Sequence, residues 1–349
     1  AANNTSVGHN ALFNATTGAD NTAVGKSAGE NITTGAENVA VGVTALDANT
    51  TGTRNTVLGH GALGALVGGY HENVAIGYNA LAVSTVNTGN VAIGAYAMDA
   101  TNSSSSTQCT AIGYKSMSGA LAGYGNTAVG DNTMLVATSA IENTCVGRSA
   151  LIALTTGDNN TAVGSFALDA NTTASNNTAV GYSALTANTT GTGNTAVGTL
   201  AGDAITTGTY NTTSGYAAAG AVTTGDGNVC IGSQAGLDTV ALTTGDYNVC
   251  IGTNTRTSAA DGDNQIVIGF DMTGQGNNNF SFGNQTTDSN IAFGATSITA
   301  PSDVRLKEDI QDEEVGLSFI NDLRPVTFQW KKEKDVPSEM RAHVADSEE

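Results

Sequence analysis

Asn21-Thr22-Ala23-Val24-Gly25 is one copy of a pentapeptide that recurs through most of the chain. Relatives of it end at Gly8, Gly25, Gly42, Gly59, Gly77, Gly94, Gly113, Gly130 and Gly147. They continue at Gly164, Gly181, Gly198, Gly215, Gly232, Gly252, Gly269, Gly283 and Gly294, mostly in steps of 17 residues. A fixed period of this size is the mark of a solenoid, in which each unit buries its apolar side only by stacking on the next. The expected fold class is all-β: a repetitive parallel β-roll or β-solenoid with rungs of about 17 residues, followed by a short α+β C-terminal segment.

Each unit reads Asn-Thr-Ala-Val-Gly-x-x-Ala-Leu-x-x-x-Thr-Thr-Gly-x-x. The residue before the Gly is mostly β-branched, as at Val24, Val41, Ile76, Ile93 and Val163, which suits a pleated strand. The Gly permits a bend or a close backbone approach. Ala and then Leu follow, as at Ala45-Leu46, with Gly in place of Leu in some copies. Thr-Thr-Gly closes the unit as a turn. Repeated Gly argues against a helical repeat, since each costs about 1 kcal/mol inside a helix. The expectation is two short strands and two turns per rung, with the Val/Ile column buried and the Thr-Thr-Gly turns exposed. The motif Asn should stack into an amide ladder. Taking every copy as a rung, the rod would be roughly 85 Å long at ~4.8 Å per rung.

Composition supports a thin core. The chain has 44 Gly, only 5% aromatic and only 12% charged residues. Its net charge is −19, of which residues 1–301 carry −13 and residues 302–349 carry −6. Such a surface disfavours nucleic acid, which needs a basic stripe, and anionic membranes. No apolar run reaches the roughly 18 residues of a membrane span, so no membrane insertion is expected, and no signal peptide pattern is visible. The chain opens inside a repeat, at Asn4-Thr5-Ser6-Val7-Gly8, so a preceding segment is expected.

Cys145, Cys230 and Cys250 stand two residues before the repeat Gly, where Ala is usual. They read as small buried residues, or, for Cys230 and Cys250, as a disulfide between adjacent rungs. Cys109 has no obvious partner. No spacing asks for zinc or another metal, and no cofactor is implied. His9, His60, His71 and His343 do not cluster. Turns such as Gly157-Asp158-Asn159 and Gly245-Asp246-Tyr247 read as turn chemistry or as Ca²⁺ ligands. No carboxylate pair stands out as a glycan-cleaving site. Ser214 and Asn211-Thr212-Thr213 make a degenerate copy.

Three segments follow from the pattern. Residues 1–269 are the repeat shaft. In residues 270–301 the steps shorten and Phe270, Phe280, Phe282 and Phe293 appear, which suggests a neck whose larger residues seal the rod. Residues 302–349 differ in kind: 20 of these 48 are charged, against 23 of the first 301. The composition breaks at Pro301, just before this module. Asp312 can cap a helix through about Leu323. Pro325 ends it, and Val326–Trp330 alternates like a strand.

Within Ser302-Asp303-Val304-Arg305-Leu306-Lys307, a Ser and a nearby Lys can form a nucleophile and base. The same residues also read as a solvated cap with two exposed cations.

Two resemblances bear on function. The Asn-x-Ala-Val/Ile-Gly unit followed by Ala resembles the head of trimeric autotransporter adhesins of the YadA type, a left-handed parallel β-roll of three chains side by side. That resemblance implies a homotrimer. Ser302-Asp303-Val304-Arg305-Leu306-Lys307, then a helix, then Leu323-Arg324-Pro325-Val326-Thr327-Phe328-Gln329-Trp330, resembles the start of the S74-type intramolecular chaperone that closes phage tail spikes and fibres. It implies a chaperone that trimerises the stalk and then cuts itself off. Ser302 would be the nucleophile, Lys307 the base and Pro301–Ser302 the scissile bond. The segment is shorter than is usual in that family, so a chain truncated at both ends is expected. Together the resemblances imply a virion tail-fibre or tail-spike shaft. Its partners would be its own copies and a host surface receptor, a glycan or outer-membrane component. The alternative is the head of an autotransporter adhesin on a bacterial surface. A third reading makes self-cleavage the main activity, although one cut per chain is maturation and not turnover.

Overall fold

The computed structural model describes residues 3–67, 71–84, 88–101, 107–119, 122–237 and 241–295. The chain divides into two units, Ala1–Pro301 and Ser302–Glu349, and the described residues all belong to the first. They form an all-β parallel solenoid with no helix among them. Fifteen strands of three residues, from β1 (Thr5–Val7) to β15 (Val249–Ile251), occupy the three positions before successive repeat Gly. They are followed by β16 (Ile266–Phe270), β17 (Asn279–Asn284) and β18 (Thr287–Ala292). Each strand as far as β17 pairs parallel and in register with the one before it, as in Thr161↔Thr178, Ala162↔Ala179 and Val163↔Val180. The sequence period is therefore the structural period.

Only one strand forms per rung, where two are expected from the pattern. The remainder of each rung is turns, because it passes repeatedly through left-handed backbone. Four residues after the Gly sits the Leu position, with Leu46 at φ 54° and Leu63 at φ 48°. Two residues after the Gly are Thr44 at φ 52° and Asn79 at φ 54°. No strand runs through such residues. The copies with Gly in the Leu position, Gly29, Gly202 and Gly236, adopt the same left-handed geometry without a steric penalty. For a residue with a β-carbon the strain is held by cross-rung bonds: the Leu46 N–H donates to the Ala62 carbonyl at 3.1 Å.

The buried column also differs from expectation. In a three-residue strand the side chains alternate, so the middle residue points one way and its two neighbours the other. The middle residue, Ala23, Ala40, Ala162 or their equivalents, is buried. The Val/Ile position faces outward: Val163 is 37% and Leu58 48% exposed. Small residues face inward because they oppose the buried Leu or Met of the turn, as at Leu151, Leu168 and Met134. The degenerate copy keeps the rule, since Thr213 occupies the Ala position, 1% exposed, and pairs with Ala196. In the Thr-Thr-Gly turn the second Thr is exposed, but the Gly is buried. At Gly35 and its two preceding Thr, three successive N–H groups converge on the Thr50 carbonyl of the next rung at 3.0–3.2 Å.

The Asn ladder forms as expected and does more than stack. Asn143 donates its N–H and its Nδ2 to Asn126 Oδ1 at 3.0 and 3.1 Å, linking two rungs. The same Nδ2 reaches the Gly157 carbonyl at 2.9 Å, tying the strand to the turn of its own rung. A buried amide is tolerated only when satisfied, and this one is satisfied on both sides.

A second, irregular column stands seven residues after the repeat Gly and carries Leu66, Leu154, Asn171, Asn188 and Ile205, all buried. Asn171 bonds to Ala174 through both its amide atoms. Neither polar atom of Asn188 has a partner. An orphaned buried amide costs ~1–3 kcal/mol, and Leu already fits this column. Asn188→Leu should therefore raise the thermal midpoint, by about 1–2 kcal/mol of stability. An unchanged or lowered midpoint in a calorimetric scan would contradict the orphan assignment.

The end of the shaft departs from expectation. β17 still stacks parallel on β16, but β18 turns back antiparallel on β17, pairing Phe282 with Ser289 and Asn284 with Thr287. Gly294 thus marks no rung. Seventeen parallel strands at ~4.8 Å span roughly 77 Å. Nor do the Phe residues seal the interior. In β17 it is Ser281 that is fully buried, while Phe280 and Phe282 lie on the outer face, in register with Ile266 and Ile268. Phe270 is likewise exposed. A tight Gln285-Thr286 turn, held by the Thr286 and Thr287 N–H groups on Asn284 Oδ1, returns β18 as a hairpin strand that closes the stack by hydrogen bonding instead.

Candidate functional site

Pro301, Ser302 and Lys307, the expected cleavage site and dyad, lie outside the described residues, as do the expected helix from Asp312, the strand Val326–Trp330, and His343. Within the described residues the structure offers a long outer strand face, a set of buried thiols, a row of acidic turns and two aromatic strips.

The strand face is built by two columns. One is the residue before each Gly: Val146, Val163, Val180, Val197. The other, two residues earlier, is Thr in most rungs and Val in the rest, as in Thr161, Thr178, Val229 and Val249. At the C-terminal end both columns enlarge, to Ile266 and Ile268 and then to Phe280 and Phe282, whose rings lie 5.0 Å apart. The result is an exposed apolar stripe that repeats along the rungs. Contiguous stripes of this kind mark interaction surfaces.

All four cysteines are free and buried. Cys230 and Cys250 face each other on β14 (Val229–Ile231) and β15, and they are thiols, not a disulfide. Their mutual hydrogen bond, and then burial, raises the Cys230 thiol well above its usual range. Burial alone raises Cys145. Thiols held neutral in this way are poor nucleophiles. Cys109 occupies the ladder position four residues before Gly113: its N–H donates to Asn90 Oδ1 at 2.9 Å, and its Sγ to the Gly123 carbonyl at 3.7 Å. Aligning Cys109-Thr110-Ala111-Ile112-Gly113 on the repeat reveals that place.

The acidic turns serve the backbone. Asp246 Oδ1 accepts from the Asp226 N–H at 2.7 Å, and Asp263 Oδ1 from the Asp246 N–H at 2.8 Å. Asp158 Oδ1 accepts from the Ile141 N–H at 2.8 Å. Each carboxylate caps a donor in the preceding rung, which is turn chemistry. Among the described residues, no group of three or more His, Cys, Asp or Glu side chains gathers, and no helix is long and apolar enough to cross a membrane.

The aromatic strips are not among the expectations from sequence. His60 stacks on Tyr78 at 5.4 Å, Tyr78 meets Tyr96 at 5.3 Å, and Tyr96 meets Tyr114 at 6.1 Å. Lys115 Nζ lies 5.4 Å from the Tyr114 ring centre. A shorter strip runs from Arg148 over Phe166, at 4.6 Å, to Tyr182. His60, Tyr78 and Tyr114 directly follow their Gly, but Tyr96 comes one residue later. There Ala95 leaves space, and left-handed Tyr96, φ 59°, brings its ring into the row. Only alignment of the positions just after the Gly could show this from sequence.

Beyond the shaft, one segment of the chain is similar to a known family. Residues 302–344 match the Peptidase S74 family, the chaperone of endosialidase. The match begins at Ser302 and covers the C-terminal end of the chain, not the solenoid. No curated protein and no solved structure matches the chain. A parallel β-solenoid followed by an S74 chaperone segment fits a tail-fibre-like or tail-spike-like protein.

Proposed function

We propose that this chain is a shaft segment of a viral tail fibre or tail spike. Three copies assemble side by side, and the shaft carries host attachment at the virion. The S74 segment brings the three chains together, nucleates stacking of the rungs and is then cut away before Ser302. The carrying observation is that an S74 match starts at Ser302, directly after a regular β-solenoid. Ser302 is the nucleophile and Lys307 the base of that single cut, and Pro301–Ser302 is the bond broken.

The exposed stripe supports side-by-side assembly. It recurs with the repeat, so a surface with the same period covers it best, and another copy of this chain has that period. A thin roll with few large side chains also has much surface for its volume, and covering the stripe removes apolar area at about 25 cal/mol per Å².

The test combines sedimentation with one substitution. The soluble shaft should sediment as three chains. In a single chain Val163 is partly exposed, so Val163→Asp leaves its carboxylate solvated and the rungs intact. Between copies the same charge would be buried without a partner, at a cost of several kcal/mol. The variant should therefore dissociate while keeping its circular dichroism. A monomeric wild type, or a variant that remains trimeric, would overturn the assembly.

A further inference from the structure

The strip of His60, Tyr78, Tyr96 and Tyr114 is the longer of the two aromatic rows among the described residues. It occupies four consecutive rungs and ends there. At the position just after the Gly, the rungs on either side carry Val43 and Asp131, and the aromatic residues at this position farther along, Tyr182, Tyr216 and Phe270, do not occupy adjacent rungs. An interface between copies recurs with the repeat, as the Val/Ile stripe does. A row confined to four rungs is suited to a ligand of limited length.

The row has the features of a sugar platform. Ring centres succeed one another at 5.3–6.1 Å, about the length of one pyranose unit, with His60 and Tyr78 near-parallel and Tyr78, Tyr96 and Tyr114 meeting edge to face. Tyr78 and Tyr114 are 47% and 48% exposed, so their surfaces are open. Aromatic faces carry negative charge density and favour polarised C–H groups such as those on a sugar face. The Tyr hydroxyls, the His60 imidazole and Lys115 supply polar atoms at the edge of the row. Burial, and then the neighbouring Tyr78 and Tyr114 phenols, raise the Tyr96 phenol above its ordinary value. Residues 1–301 carry a net −13, which repels polyanions. Lys115 is already engaged with the Tyr114 ring. The occupant is therefore not a polyanion, and we take it to be neutral.

We infer that the His60–Tyr78–Tyr96–Tyr114 strip binds a linear, neutral hexose glycan lying along the rod axis, one sugar per rung. This rests on the attachment reading above and locates it on the shaft.

The test uses the whole chain and titration calorimetry with three soluble probes: cellohexaose, maltohexaose and chitohexaose. At least one should bind. A Tyr78→Leu/Tyr114→Leu variant, which keeps the apolar bulk but removes the ring faces, should bind it at least about tenfold more weakly. Tyr210→Leu/Tyr247→Leu, at exposed tyrosines away from the strip, should leave affinity unchanged. An oligogalacturonate of equal length should bind no more tightly than the neutral probe. Failure of all three hexasaccharides overturns the inference, as does equal affinity in the strip variant or preference for the acidic probe. Loss of trimer in the strip variant also overturns it, assigning the strip to contacts between copies. Sedimentation is read on the same samples, and the cut before Ser302 on a precursor carrying a complete S74 domain. If both persist without sugar binding, the strip fails and the fibre reading stands.

Discussion

Gly164→Ala should break the solenoid at the rungs on either side of residue 164. Two penalties coincide there. Gly164 has φ 142°, a conformation rarely open to a residue with a β-carbon. A β-carbon would also meet the carbonyl of Gly181, the equivalent Gly of the next rung. That carbonyl is backbone and cannot swing aside, so the two rungs must separate or tilt. β10 (Thr161–Val163) pairs with the strands on both sides of it, so lost register spreads to neighbours. We expect a destabilisation above about 4 kcal/mol, in the range reserved for backbone strain and core disruption. Gly294 provides the control. It has φ 85°, and a β-carbon added there would meet nothing within 4 Å. Gly294→Ala therefore reports a positive-φ penalty without a clash and should cost about 1 kcal/mol. Thermal unfolding and limited proteolysis between residues 147 and 198 read both effects. Equal, small costs for the two substitutions would mean that the repeat Gly is needed for its dihedral angle and not for close packing of rungs.

The same comparison shows which parts of the fold can be read from the chain. The Gly and Asn columns are legible because their residue types have few other uses at a fixed spacing. A Gly that touches the next Gly, and an amide that bonds in two directions, leave the same letter in nearly every copy. The number of strands per rung is not legible. Leu46 and Leu63 in left-handed backbone contradict ordinary propensity, and only the cross-rung hydrogen bonds of a completed stack sustain them. The direction of the Val/Ile column is hidden for another reason. β-Branched residues suit a strand on either face, and the usual rule that the larger apolar residue points inward fails in a roll this narrow. Ala fits the lumen, so Val is left outside. The neck misleads by the same rule, since Phe280 and Phe282 continue the outer columns. The cleavage motif is legible only as a motif. Ser302 and Lys307 are five residues apart in sequence, a spacing that many solvated caps share. The context of shaft, helix signal and Leu323–Trp330 gives it meaning, and the S74 match covers those residues of the C-terminal segment.

The proposed cut gives the largest expected effect, because it is all or none. In a precursor carrying a complete S74 domain, denaturing gels should show a shaft ending at Pro301 and a released piece beginning at Ser302. On this mechanism Ser302 Oγ attacks the Pro301 carbonyl carbon while Lys307 accepts the hydroxyl proton. The C–N bond then breaks, the Ser302 nitrogen takes up a proton, and water hydrolyses the resulting ester. Ser302→Ala removes the attacking oxygen, and Lys307→Met removes the base while keeping much of the side-chain volume. Either variant should abolish the cut and still yield an assembled, uncleaved fibre, because in the proposed sequence of steps folding by the chaperone comes before the cut. A lysine accepts a proton only when it is neutral, which requires burial or a nearby cation. The rate should therefore fall as pH is lowered, and the Lys307→Met precursor should stay uncut at every pH. Cleavage at the same bond in Ser302→Ala would assign the work to an outside protease. An intact full-length wild type would leave the module as a chaperone without the peptidase step.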